Sequence, residues 1–99
     1  MNVKVLSIEP AKETGMFDVL VLIDTDEHQF KMTVDSHIVA GKEIQVTNGD
    51  KHFSQMFKFH QMIALKISKL VSKVYNNQTI ELPLDVDESY YKNIPLYAS

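Results

Sequence analysis

Between Phe53 and Tyr75 the apolar side chains return at the spacing of a helix. At about 100° per residue, with Phe53 at 0°, one arc of roughly 160° collects Met56, Phe57, Phe59, His60, Ile63, Ala64, Ile67, Leu70, Val71, Val74 and Tyr75. An arc that wide can pack on a sheet. The spacing predicts a helix over 51–77, carried chiefly by His60 to Tyr75, with Asn76-Asn77 as its stop because Asn tolerates the left-handed conformation. Its first part has a competing reading. Asn48-Gly49 is a two-residue hairpin signal, and Phe53, Phe57 and Phe59 also alternate as in a strand. A continuous helix from Phe53 to Tyr75 would be about 35 Å long, the size of a whole 100-residue domain, and is expected to span or overhang the body.

The first half of the chain is patterned in twos. Phe17, Val19, Val21 and Ile23 share one strand face while Met16, Leu20 and Leu22 fill the other, so this strand is expected to be central and covered twice. Phe30, Met32 and Val34 alternate with Gln29, Lys31 and Thr33, the half-buried pattern. Val3, Val5, Leu6 and Ile8 form a first strand whose alternation slips once, as at a bulge. The links from Pro10 to Gly15 and from Asp24 to Glu27 are short enough for hairpins, which predicts an antiparallel meander. Asp35 to Gly41 fits either a turn or a short helix ended by Gly41, and Ile44 and Val46 indicate a fourth, short strand. Beyond the helix, Ile80, Leu82 and Leu84 alternate with Glu81, Pro83 and Asp85. Pro83 has no N–H for a ladder, which confines that segment to an edge.

The expected class is therefore α+β in one domain. It comprises an antiparallel meander of three to four strands over 1–50, one long amphipathic helix on the sheet over 51–77, an edge strand over 78–88 and an extended C-terminal arm over 89–99. With 99 residues, 44% of them hydrophobic, such a chain can bury one core. One helix cannot cover two apolar sheet faces. A second copy of the chain is the economical cover, so a homodimer is expected.

Several chemistries are excluded by what is missing. The chain has no cysteine, hence no thiolate nucleophile, disulfide, iron–sulfur ligand or Cys-type zinc site. Its three glycines, Gly15, Gly41 and Gly49, are isolated, so no phosphate-cradling loop and no Gly-x-Ser-x-Gly elbow can form. There is no arginine, the residue that reads guanine and phosphate in two-pronged contacts, and the net charge is −3, which disfavours nucleic acid as a partner. No apolar run reaches the roughly 18 residues of a membrane span, and the N-terminus lacks the pattern of a secretory signal. A cytoplasmic protein without membrane contact and without a cofactor is expected.

Four histidines remain as candidates for chemistry: His28, His37, His52 and His60. On one continuous helix His52 and His60 would stand about 12 Å apart, too far for a local chelating pair. A metal site would have to be assembled by the fold, with His28, His37 or Asp26 as partners of His52 or His60, and a catalytic site from His60 or His28 with Asp24 or Asp26. His60 falls within the apolar arc and reads as a core histidine, neutral when buried.

Charge is unevenly distributed. Residues 1–50 carry −5, residues 51–80 carry +5 with no acid at all, and residues 81–99 carry −3. On the helical wheel Lys58, Lys66, Lys69 and Lys73 gather opposite the apolar arc, interrupted by Met62 and Leu65. Lysines near a helix C-terminus complement its dipole, but a solvated face normally mixes Glu with Lys. The basic face is therefore expected to meet an acidic partner, another copy or another protein, with Met62 and Leu65 adding apolar contact. Tyr90, Tyr91 and Tyr97 in the arm suit an interface, having one apolar and one wet end. The expected function is a non-enzymatic, self-associating interaction module. A small enzyme or metal binder with a composite His/Asp site is the alternative, and a weak nucleic-acid binder using the Lys stripe is a third.

Overall fold

The structure, a computed structural model, describes residues 1–86. Four strands run as an antiparallel meander: β1 (Val3–Pro10), β2 (Met16–Ile23), β3 (Asp26–Val39) and β4 (Lys42–Gly49). Two helices follow, α1 (Lys51–Met56) and α2 (Gln61–Tyr75), then a two-residue strand β5 (Leu84–Asp85) along β1. The sheet order is β4-β3-β2-β1-β5. The class is α+β, as the periodicities predict. The slip expected in the first strand is present, a register shift between Val5 and Ser7 opposite Val21 and Leu20.

Both helices lie on one face of the sheet. Val3 and Val5 from β1, Phe17, Val19, Val21 and Ile23 from β2, and Phe30, Met32 and Val34 from β3 meet Ile63, Ile67, Leu70 and Val71 from α2. All are buried, which is the period-2 face of the strands closing on the 3.6-period stripe of the helix. On the opposite face Met16, Leu20 and Leu22 are only half-buried, and no described helix lies across them. The double cover expected for β2 is absent among the described residues.

Three segments depart from the sequence reading. The continuous helix over 51–77 is two helices, interrupted at Phe57 to His60. Asp50 starts α1: its Oδ1 accepts from the Phe53 N–H at 2.8 Å, and its Oδ2 accepts from the Lys31 N–H at 2.9 Å. Phe53 and Phe57 then pack on Phe30, ring centroids 5.5 and 5.7 Å away. Gln61 Nε2 donates to the Phe57 and Lys58 carbonyls that the break exposes. The interruption resets the helical phase, so Phe59, assigned to the apolar arc, is 83% exposed. With 15 residues α2 is about 22 Å long and not the rod of about 35 Å expected to span or overhang the body.

The second departure is the stretch Asp35 to Gly41, which is neither turn nor helix until its last two residues. β3 continues to Val39 and reverses at Ala40-Gly41, whose φ values of +52° and +79° make a two-residue hairpin turn. The hairpin signal at Asn48-Gly49 marks instead the end of β4. A Cβ on Gly49 would overlap the Phe53 ring, so glycine there makes room for the first helix rather than for a turn. Third, in the described part of the edge strand expected over 78–88, residues 78–86, only Leu84–Asp85 is strand, with the Val86 N–H donating to the Val3 carbonyl at 2.9 Å. The C-terminal arm lies outside the described residues.

Candidate functional site

What overhangs the body is a ribbon, not a helix. β2 pairs with β3 only as far as Met16 opposite Thr33, whereas β4 follows β3 out to Lys42 opposite Val39. Residues 35–39 and 42–46 therefore project as two strands. Their apolar side chains stay in water: Ile38 and Val39 are exposed, Ile44 is 45% and Val46 43% exposed. Ile44 and Val46 share the face that carries Asp35 and His37, their partners across the ladder. The sequence marked Ile44 and Val46 as strand but gave no sign that they sit beyond the core. Only pairing lengths could show that.

The other face of the ribbon is tied to α2 by polar side chains. Gln45 and Asn76 form a two-way amide pair, each Nδ2 or Nε2 donating to the other's oxygen at 2.8 Å. Ser36 Oγ and Gln45 Nε2 both donate to Glu43 Oε2. The Ser36 hydroxyl first, then the Gln45 amide, hold the Glu43 carboxyl below its ordinary range.

The basic stripe is split. Lys58 falls in the turn between the helices and stands 5.4 Å over the Phe59 ring. Lys66, Lys69 and Lys73 border a groove of about 330 Å³ with an apolar floor of Leu70, Leu84 and Val86, next to Asp85. They thus flank the β5 side of α2. Met62 and Leu65 are 46% and 47% exposed, as the wheel predicts. Leu65 lines a second groove, also about 330 Å³, between the helices and the Thr47 to Gly49 end of β4. Tyr90, Tyr91 and Tyr97 are outside the described residues.

The histidines divide. His28 on β3 and His52 on α1 come together, ring centroids 5.4 Å apart, with the Phe30 ring 4.7 Å from His52 and 6.2 Å from His28. The fold thus joins His52 to His28, one of the partners that spacing along the chain left open. His37 is exposed on the ribbon opposite Ile44. His60 is half-buried at the start of α2, not in the core, so the expectation of a buried neutral imidazole loses its premise. Asp24 and Asp26 are exposed at the β2–β3 turn, where Asp24 Oδ1 accepts from the Asn2 N–H at 3.0 Å. Among the described residues no three His, Asp or Glu side chains gather in a way that could hold a metal ion. No described helix is long and apolar enough to cross a membrane.

No protein-family model matches the chain, and no curated protein matches its sequence.

Proposed function

We propose that this chain is a non-enzymatic interaction module that assembles with a second copy of itself. The observation that carries the reading is the apolar surface of the projecting ribbon, Ile38, Val39, Ile44 and Val46, left in water beside an edge strand. Single exposed apolar residues need no cause, but Val39, Ile44 and Val46 share one face of a two-stranded projection, with Ile38 on its other face, and form a patch of the kind that marks contact sites. The composite His/Asp reading has less support: His28 and His52 supply two imidazoles without a third ligating side chain among the described residues. Charge also favours self-association over a nucleic acid, since the chain is acidic overall and lacks arginine.

Light scattering over a hundredfold range of protein concentration tests this. The expected result is a mass rising from 11.3 kDa towards twice that value. A mass fixed at 11.3 kDa throughout would refute the reading.

A further inference from the structure

β4 is bonded on one side only. It pairs with β3, and no described strand lies along its other edge. Which backbone groups face that open edge follows from the ladder. The two-residue turn at Ala40-Gly41 closes on Val39 opposite Lys42, so even-numbered residues of β4 direct their N–H and C=O groups at β3. The Asp50 N–H, which donates to the Lys31 carbonyl at 2.9 Å, confirms that parity. Glu43, Gln45 and Thr47 therefore present their N–H and C=O groups outward. Edge strands are normally guarded by proline, a bulge or an inward charge. From Ile44 to Thr47 the strand has none of these. At the opposite edge of the sheet β5 lies along part of β1, opposite Lys4 and Val5.

We infer that β4 pairs antiparallel with β4 of a second copy across a twofold axis at Gln45, an interface that rests on the self-association proposed above. The sequence of the strand is what commits it to its own copy. Ile44 and Val46 stand symmetrically about Gln45 on one face. Reversing the strand on itself there sets Ile44 against Val46 of the other copy, twice, at non-hydrogen-bonded positions where opposed side chains come closest. Gln45 faces Gln45, and Glu43 faces Thr47, at positions that exchange about six backbone hydrogen bonds in total. Lys42 faces Asn48, so no like charges are opposed. A twofold axis normal to the sheet keeps the helices of both copies on one side, and the groove lined by Leu65, Thr47 and Asn48 is brought to the seam. Pairing consumes the open edge of β4 in both copies, and the twofold axis closes this interface at two copies.

The test uses the full chain and reads amide exchange by NMR at low and high concentration, alongside the mass. The Gln45 and Thr47 amides should slow at least tenfold on going to high concentration, while those of Ile44 and Val46, bonded to β3 already, change little. Ile44→Lys with Val46→Lys should weaken dimerisation at least tenfold. Thr47→Pro, which removes only an outward N–H, should do the same, and Met62→Lys should not. A dimer whose Gln45 and Thr47 amides ignore concentration, or whose mass ignores the β4 variants, overturns this interface and leaves self-association standing. A monomer at every concentration overturns both. The exchange readout needs no variant, so a substitution that unfolds the chain does not blunt the test.

Discussion

Glu43 shows how a single exposed side chain can couple the ribbon to pH. Its carboxylate accepts from Ser36 and Gln45, and these bonds lower its folded pKa below the unfolded value near 4.5. A depressed carboxyl stabilises the fold above its unfolded pKa, and that contribution is lost as pH falls through the folded pKa. Glu43→Gln should therefore show a shallower drop in melting temperature between about pH 5 and pH 3 than the parent chain. Equal drops would show that the carboxylate contributes nothing. The effect is small because the group is fully exposed. At this scale the sequence conceals partners. Ser36, Glu43 and Gln45 are unremarkable polar residues until strand register sets Ser36 opposite Gln45 and beside Glu43. Asp50 is likewise a competent cap by type, yet its second bond, to Lys31, exists only because β4 ends alongside that residue of β3.

Among elements, the β3–β4 hairpin carries a local conflict. Ala40 takes the left-handed conformation, φ +52°, that an alanine adopts at a penalty of about 1 to 2 kcal/mol. Asn is preferred at that turn position. Ala40→Asn is expected to raise the unfolding free energy by about 0.5 to 1 kcal/mol in urea titration, and no gain would mean the turn carries no strain. The helical region holds the opposite lesson. Residues 53–75 fit one helix on a wheel, but a wheel assumes an unbroken 3.6-residue phase. Phe53 and Phe57 anchor α1 to Phe30, whereas Ile63, Ile67 and Leu70 anchor α2 elsewhere on the sheet, and the chain breaks between the two anchors.

For the whole molecule, one face of α2, with Phe53 and Phe57 beside it, closes the core of the described residues on the sheet. Met62 and Ile63 are neighbours in sequence and opposite in burial, 46% and 0% exposed. Ile63→Ala should lower stability by about 2 to 5 kcal/mol, because the cavity cannot close against the sheet. Met62→Ala should change it by less than about 0.5 kcal/mol. Comparable losses in thermal or chemical unfolding would place α2 wrongly on the sheet. The other sheet face, with Leu20 and Leu22 half-buried, and the ribbon beyond the core, leave apolar surface that the described chain does not cover.

The sequence by itself determined the class of the fold, the meander, the bulge after Val5 and the buried stripe of α2. Each follows from a repeat of two or of 3.6 residues, which local chain geometry imposes wherever one side must leave water. Tertiary structure alone decided where the helix breaks, that His28 meets His52 while His60 stays near the surface, and that Ile44 and Val46 lie beyond the core. Those outcomes depend on how far each strand pairs and on which side chains compete for the same sheet surface, relations between residues distant in sequence that no periodicity records.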